Sequence, residues 1–417
     1  MSERAEPLRI LLSEGSSTSG REALTILGLS GHIVDVCDPS PWCLARFSRF
    51  VRTVHRCPTL RDDPHRYLAF VEALLSARHF DVLLPIHEQG FLFARASERV
   101  QRWVAVALPS FESYRVAHSK AGFSRLLSEL GLPQPVTTIV RSERELRQAI
   151  CFPAVLKTSI GTASRGVWFV HDEAELTLAS HDLDARDAFA DEVLVQELVA
   201  GITEKAQSVF CRGQLVGFHA YRQIAAGLGG GEAIKQSVSR PEVAAHFAKI
   251  GARLAWHGAL SIDYVIGDDD GQPHLIDCNP RLVEPMSAYL AGVDLVGLLL
   301  RVSMGETPKA MPYGREGVRT HLAMQAQLGC VARGGTRRDL LRECWRMWKG
   351  REAYAESCEE LTPVRSDWMS AIPLAITFAM AFAAPRSAAA LAQSGFGAHL
   401  LNLKGIRRVT SEEFAGG

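Results

Sequence analysis

Two neighbouring segments in the middle of the chain carry oxygen-bearing side chains that could bind a metal ion. Ala259–Ile266 and His274–Arg281 have the composition of strands, and the Asp-rich turn between them predicts a hairpin. Because side chains alternate along a strand, Asp277 and Asn279 face the same way, and the hairpin sets Asp263 beside them. Two carboxylates and an amide form a hard-oxygen site suited to Mg²⁺, and Mn²⁺ accepts the same ligands.

Arg281 follows this strand as a planar cation suited to phosphate. Acidic oxygens together with an arginine are what metal-bound phosphoryl chemistry requires. Cys278 should face the core, so no catalytic thiol is expected there.

A loop rich in glycine and small hydroxyl side chains lies further upstream, at residues 158–166, between two predicted strands. Gly161, Ser164 and Gly166 would let backbone N–H groups approach a phosphate closely. Lys157 precedes the loop at a strand end and would supply a point charge for phosphate. Most such loops are only turns, but the position of this one before an acidic strand pair favours a phosphate site.

The segment Val193–Glu204 reads as a strand followed by an extended connection. There Glu197 could accept a hydrogen bond from an adenine amino group and Glu204 could accept from ribose hydroxyls. A strand ending in a glycine turn is an equal alternative. Lys120, near the start of a preceding helix, would by itself be an ordinary surface charge.

Bulk composition fits a soluble cytoplasmic enzyme with a large core. The chain has 417 residues, is 47% hydrophobic, and has 46 basic and 46 acidic side chains. This balance gives no general attraction to nucleic acid. The nine cysteines never form a CxxC pair, which indicates reduced thiols, and the first residues lack an apolar signal region.

The N-terminal segment alternates between strands and helices, which predicts a parallel α/β sheet. Strands are expected at 8–12, 32–36 and 81–85, with helices between them. His87 and Glu88 follow a strand end, where such sheets bind ligands, but helix capping or surface polarity is favoured over substrate contact.

The order of these motifs resembles the ATP-grasp superfamily, especially its carboxylate–amine ligases and its biotin carboxylase and carbamoyl-phosphate synthase branch. The resemblance covers about residues 8–305 and is carried by Ser119–Lys120, Phe152–Lys157, the loop at 161–166, Gln196–Glu204, Asp263 and Asp277–Arg281.

This resemblance implies a fold of mixed α/β and α+β class. Its parts would be an N-terminal parallel domain (1–115), a two-lobed ATP-grasp body (116–308, small lobe about 135–200) and a mostly helical C-terminal part (309–417). ATP and Mg²⁺ would lie between the lobes. The implied contacts are Lys120 and Lys157 to phosphates, Glu197, Leu198 and Val199 to adenine, Glu204 to ribose, Asp263, Asp277 and Asn279 to Mg²⁺, and Arg281 to the transferred phosphate or acyl phosphate.

Two positions depart from the family pattern. Asp277 stands where the family usually has Glu, and its shorter side chain would weaken bridging of two ions. Ser119 stands where Asp usually precedes the linker lysine. Neither change removes a ligating group, so an active site is still expected.

The resemblance implies that ATP converts a small carboxylic acid into an acyl phosphate, which an amine or amino acid attacks, releasing ADP and phosphate. A carboxylase acting through carboxyphosphate and a non-catalytic ATP-binding regulator are the alternatives. A protein that only binds ATP would not need the metal pair and Arg281, which favours catalysis. Substrate contacts are expected from the N-terminal strand ends, Arg222 and the loop at 227–231, but no motif identifies the acid or the amine.

The C-terminal part is harder to interpret. Residues 333–351 are basic and predict a solvated helix, with Trp345 and Trp348 packed on the body and with nucleic-acid or anionic-lipid contact as the alternative. The apolar run 368–385 predicts a buried or partner-binding helix, with membrane-surface contact or a short span as alternatives. Residues 395–417 predict a loosely packed tail. A homodimer is expected from the family resemblance alone.

Overall fold

A computed structural model describes residues 6–161, 166–229, 231–385 and 398–411 of the chain. The strands are β1 (Arg9–Leu12), β2 (Ile33–Asp38), β3 (Val51–Arg56), β4 (Val82–Leu84), β5 (Thr137–Val140), β6 (Ala154–Thr158), β7 (Val167–Val170), β8 (Val193–Glu197), β9 (Gly201–Cys211), β10 (Gln214–Ala226), β11 (Glu232–Val238), β12 (Gly258–Gly267), β13 (Pro273–Asn279), β14 (Arg319–His321) and β15 (Cys358–Glu359).

The α-helices are α1 (Thr18–Leu29), α2 (Pro64–Ala77), α3 (Gln89–Arg95), α4 (Ser97–Gln101), α5 (Phe111–His118), α6 (Lys120–Glu129), α7 (Glu143–Ala149), α8 (Glu173–Ala185), α9 (Pro241–Arg253), α10 (Met286–Leu290), α11 (Leu295–Ser303), α12 (Ala323–Ala332), α13 (Arg337–Lys349), α14 (Ala371–Ala383) and α15 (Leu403–Thr410). Short 3₁₀ helices lie at Leu44–Phe47, Ala188–Ala190, Glu352–Tyr354 and Trp368–Ser370.

The predicted N-terminal parallel α/β sheet is confirmed. Its strands have the order β3-β2-β1-β4, and every neighbouring pair is parallel. The carboxyl ends of these strands therefore meet at one edge, which places Glu14, Asp38, His87 and Glu88 in the same region. All four side chains are buried there.

A small antiparallel sheet, ordered β5-β8-β6-β7, forms the next unit. Helices α7 and α8 pack on it and share a separate core with residues such as Leu146, Leu156 and Leu176. The sheet lies within the small lobe predicted at about 135–200, and β6 carries Lys157.

The large sheet has the order β13-β12-β9-β10-β11-β14-β15. Helix α9 covers the face that carries Phe210, whereas α11 packs on the face that carries Val209. Strands β14 and β15 show that the chain beyond residue 308 contributes to this sheet as well as to helices.

Helix α9 begins without a capping side chain. Residues 239–242 have the spacing of a capping box, but Arg240 is the N-cap and no side chain caps the helix. Pro241 in the first turn has no N–H that would need a cap. One face of the helix is buried in the core through Val243 and Phe247.

The packing predicted for Trp345 and Trp348 is wrong. The side chains are 45% and 76% exposed, because α13 buries Leu340 instead. Arg351 lies 4.8 Å from the Trp345 ring centre and Lys349 lies 4.1 Å from that of Trp348. The two indoles therefore pair with cations at the surface.

The apolar run 368–385 contains the whole of α14, which buries Thr377 and Ala381 but leaves Ile376 48% exposed. Among the described residues, no helix combines the length and apolar character needed to cross a membrane. The contact with a partner or membrane surface stays a prediction.

The loosely packed tail predicted for 395–417 is wrong for its described part, residues 398–411. His399 and Leu401 are buried, and α15 packs on α2 and α3 with Val409 fully buried. The rest of that predicted tail lies outside the described residues.

Candidate active site

The predicted hairpin is confirmed, and it brings the two acidic side chains together. Asp263 on β12 lies directly opposite Asp277 on β13, while Ser261 lies opposite Asn279. Directly opposed residues in antiparallel strands project from the same face. Cys278 is buried in the core on the other face, as expected from the alternation.

The side chain of Lys120 contacts one of these acidic residues, Asp277. Its ammonium group donates to both carboxylate oxygens of Asp277, at 2.9 and 3.1 Å, and to the carbonyl of Gly161 at 2.8 Å. The Lys120 side chain is only 7% exposed. The surface-charge alternative for Lys120 therefore does not apply, because this lysine links the acidic strand to the glycine loop.

Lys157 approaches the same strand from the small lobe. Its ammonium group donates to the carbonyl of Ile276 at 2.9 Å, one residue before Asp277. Burial lowers the pKa of Lys157 to about 8, with Lys120 adding to the shift and Asp277 opposing it. Two lysines and an aspartate thus converge between the small and large sheets.

Asp263 is the second member of the acidic pair, and its side chain is 23% exposed. Burial raises the pKa of Asp263 to about 6, and Asp277 contributes in the same direction. A proton therefore competes with a cation at this carboxylate near neutral pH. Two opposed carboxylates with an adjacent amide fit the donor set of a divalent cation such as Mg²⁺.

Sequence reasoning missed Lys205, which lies on β9 directly opposite Asp263. Its ammonium group is 4.0 Å from Asp263 and 2.6 Å from Glu232. Local sequence around Lys205 carries no signal of this role, because only the pairing of β9 with β12 reveals it.

Arg281 lies just beyond the acidic pair. One of its terminal nitrogens is 3.4 Å from the side-chain oxygen of Asn279, and its carbonyl accepts from Ser261 at 2.7 Å. Burial lowers the pKa of Arg281, and the carboxylates of Glu88 and Glu14 oppose this shift. Arg281 therefore stands between the acidic strands and the edge of the N-terminal sheet.

The glycine loop is only partly described. The Gly161 carbonyl accepts a hydrogen bond from Lys120. Gly166 has a φ of +85°, a conformation that favours glycine. A Cβ added at Gly166 would lie 2.3 Å from the Thr158 hydroxyl. Ser164 lies outside the described residues.

The predicted adenine segment follows β8. Glu197 is exposed at the end of that strand, and Leu198 and Val199 are half-buried in the connection to β9. The Glu197 N–H donates to the Val136 carbonyl at 3.0 Å. These residues form the link between the small and large sheets.

Glu204 is not brought to the acidic face. It lies opposite Tyr264, which places it on the face covered by α9. Arg240 holds both of its carboxylate oxygens at 2.7 Å, and the Tyr264 hydroxyl donates to it at 2.9 Å. Glu204 thus forms a buried ion pair, the ribose contact stays a prediction, and Arg222, opposite Glu204, also faces away from the acidic pair.

No protein-family model matches the chain. Its fold is similar to that of an N5-carboxyaminoimidazole ribonucleotide synthetase solved with ADP, with a TM-score of 0.58 and 16% identity over 80% of this chain and 86% of that one. The chain has the ATP-grasp fold. The fold expected from the resemblance to the ATP-grasp superfamily is thereby confirmed.

Two further ATP-grasp structures are similar. The biotin carboxylase domain of 2-oxoglutarate carboxylase from Hydrogenobacter thermophilus, a dimer solved with MgADP and bicarbonate, gives a TM-score of 0.59 at 16% identity and covers 75% of this chain and 73% of that one. L-amino acid ligase from Bacillus licheniformis gives 0.55 at 16% identity, covering 73% and 76%.

Sequence comparison adds carbamoyl phosphate synthases to the proteins that this chain resembles. The carbamoyl phosphate synthase large chain of Methanospirillum hungatei is 26% identical over 228 residues, which are 51% of this chain and 21% of that protein. That of Clostridium beijerinckii is 24% identical over 216 residues, 48% and 20%. The matched region thus spans about a fifth of these relatives.

Proposed function

We propose that the protein is an ATP-dependent ligase that activates a small carboxylic acid as an acyl phosphate and joins it to an amine, forming ADP and phosphate. The observation that carries this proposal is the convergence of Lys120, Lys157, Asp263 and Asp277 between two sheets. Comparable ATP-grasp proteins were solved with ADP or MgADP, which supports ATP as the nucleotide.

The two lysines would bind the phosphates of ATP, while the backbone at 197–199 would meet the adenine. Asp263, Asp277 and Asn279 would hold Mg²⁺, which when bound supplies positive charge beside the phosphates. On phosphate binding, Lys120 would exchange its contact with Asp277 for phosphate oxygens, leaving that carboxylate for the metal. This exchange keeps each buried charge compensated.

Arg281 would bind the transferred phosphoryl group or the acyl phosphate. A carboxylate is a weak nucleophile and hydroxide is a poor leaving group, so phosphorylation provides a carbonyl carbon that an amine can attack. The guanidinium of Arg281, like the two lysines, would neutralise charge that builds on the phosphoryl oxygens. Closing the small lobe over the site would exclude water from the intermediate.

A carboxylase acting through carboxyphosphate is the second candidate. The similarity to a biotin carboxylase domain solved with bicarbonate favours it, since bicarbonate would occupy the same place as the acid. The dimer in that structure also supports the predicted homodimer. Small-molecule acids and amines remain the proposed substrates.

Isotope transfer would separate these candidates. The protein is incubated with ATP, Mg²⁺ and an amine pool, with ¹⁸O placed either in pooled carboxylic acids or in bicarbonate. Transfer of ¹⁸O from the acids to phosphate supports the ligase, because the acyl phosphate breaks at the carbonyl carbon. Transfer only from bicarbonate overturns the ligase in favour of carboxylation, and Asp277→Ala controls for contaminating activity.

A further inference from the structure

The described C-terminal segment, residues 398–411, lies at the carboxyl edge of the N-terminal sheet. The Leu401 N–H donates to the Glu88 carboxylate, and the Arg61 N–H donates to the Ala398 carbonyl at 3.3 Å. Leu400 to Leu403 also border a cleft of about 220 Å³ whose other wall includes Gly161. The segment therefore stands between the N-terminal sheet and the glycine loop of the small lobe.

His399 projects from this segment onto two buried carboxylates. Its Nε2 atom is 3.3 Å from Asp38 and 3.8 Å from Glu14. Neither carboxylate is exposed to solvent. Each is also fixed in place, Asp38 by the N–H groups of Gly15 and Ser40 at 3.0 and 2.8 Å, and Glu14 by those of the following serines.

No lysine or arginine pairs with these two carboxylates among the described residues, although backbone N–H and serine hydroxyl groups donate to both. Elsewhere in the protein, the buried carboxylates of Asp367 and Glu360 pair with Arg21 and Lys235, both at 2.7 Å. The only basic side chain within 4.0 Å of the Glu14 or Asp38 carboxylates, in the described part of the chain, is His399. Two buried carboxylates that share one imidazole are suited to receive a stronger cation.

Arg281 adds a complementary feature. The carboxylates of Glu14 and Glu88 are close enough to influence its pKa, which burial lowers. The guanidinium proposed to bind the phosphoryl group thus lies within electrostatic reach of these acidic side chains. A substrate with an ammonium group near its carboxylate or acyl phosphate would match both charges.

We propose that Glu14 and Asp38 form a subsite for a primary ammonium group of the substrate, and that His399 fills this subsite as an internal competitor. The ammonium displaces the imidazole, and segment 398–411 withdraws from the cleft. The identity of this ligand as substrate rests on the proposed ligase function. Because the subsite is filled in the resting chain, apparent affinity for the amine is reduced by the fraction of chains in which it is free.

A metal ion is the main alternative occupant, since Glu14, Asp38 and His399 present ligand atoms within 4.8 Å of one another. Gln89 argues against it. Its side-chain oxygen accepts from the His87 N–H at 3.0 Å, so its amide nitrogen faces Nδ1 of His399 at 3.3 Å. A metal on Nε2 would require a proton on Nδ1, facing another donor, whereas metal-bound histidines normally donate from that nitrogen to an acceptor.

Hydrogen exchange on the full chain, without ATP, tests the proposal separately from catalysis. Exchange of the Leu401 and Ile406 amides is followed by mass spectrometry with propylammonium chloride or with tetramethylammonium chloride, which has no N–H to donate. We expect propylammonium to speed exchange at least about threefold, and tetramethylammonium to leave it unchanged. Equal effects of the two salts, or no effect of either, would overturn the proposal.

Variants sharpen this test. Asp38→Asn and Glu14→Gln should each abolish the propylammonium effect, and His399→Ala should give fast exchange without any amine. Asp81→Asn, at the opposite edge of the same sheet, is the matched control and should keep the effect. Protection of the segment by equimolar Zn²⁺, together with indifference to propylammonium, would replace the amine subsite with a metal site. Absence of ATP turnover would bear only on the proposed function.

Discussion

Lys120 donates to both carboxylate oxygens of Asp277, so the residue proposed to bind phosphate and the residue proposed to bind metal are paired with each other. The pair is largely buried, and such a pair is costly to break by removing one partner. In the proposed function, binding of a nucleotide with its metal would separate the two residues without leaving either charge uncompensated.

Asp277→Asn should abolish turnover while the chain remains folded. The change removes one negative ligand and frees Lys120, and we expect ATP turnover to fall by more than about 100-fold. Steady-state release of ADP checks this. Asp270→Asn, in the exposed turn of the same hairpin, is the matched control and should stay near the unaltered rate. Full activity of Asp277→Asn would remove this residue from the site.

Binding of Mg²⁺ should depend on pH through Asp263, whose pKa is raised to about 6 by burial. A raised carboxyl pKa means that the folded protein holds this proton below that pH, where it competes with the cation. Stabilisation by Mg²⁺ should therefore be small at about pH 5 and reach a plateau above about pH 7. The stabilisation is measured as the shift in melting temperature that Mg²⁺ causes at each pH. A shift in melting temperature that does not change with pH would contradict the prediction.

Affinity for MgADP should fall in alkaline solution because of Lys157, whose pKa is lowered by burial to about 8. The phosphates favour the charged lysine, so binding is strongest below that pH and weakens by up to about tenfold per pH unit above it. Calorimetric titration across this range measures the slope. Lys157→Met should flatten it, whereas Lys249→Met, an exposed lysine on α9, should leave it intact.

The ion pair of Glu204 and Arg240 should contribute to stability and not to nucleotide binding. Arg240→Ala leaves a buried carboxylate without its cation, and we expect a loss of about 3 kcal/mol in the free energy of unfolding. Arg253→Ala, which removes an exposed pair with Glu129 on the same helix, should cost less than about 1 kcal/mol. Chemical denaturation compares the two. A weakened MgADP affinity in folded Arg240→Ala would restore Glu204 to the nucleotide site.

The parts of the site that the sequence predicted are local in the chain. Asp263 and Asp277 are joined by a short turn, so strand alternation and turn chemistry suffice to place them together. The parallel N-terminal sheet likewise follows from a repeated pattern of strand and helix.

The parts that were missed depend on pairings between distant segments. The orientation of Glu204 and the role of Lys205 follow from the register of β9 against β12, which no local pattern specifies. His399 reaches Gln89 across 310 positions of sequence, from a region that resembles a loose tail in composition. Contacts of this kind are set by tertiary packing.

Identification of the products formed from ATP tests the proposed chemistry most directly. Purified protein is incubated with ATP, Mg²⁺ and pooled carboxylic acids and amines, with Asp277→Ala in parallel. The proposed function predicts substrate-dependent ADP and phosphate from the unaltered protein and neither from the variant. Formation of AMP and pyrophosphate would contradict it, because the acid would then be activated as an adenylate.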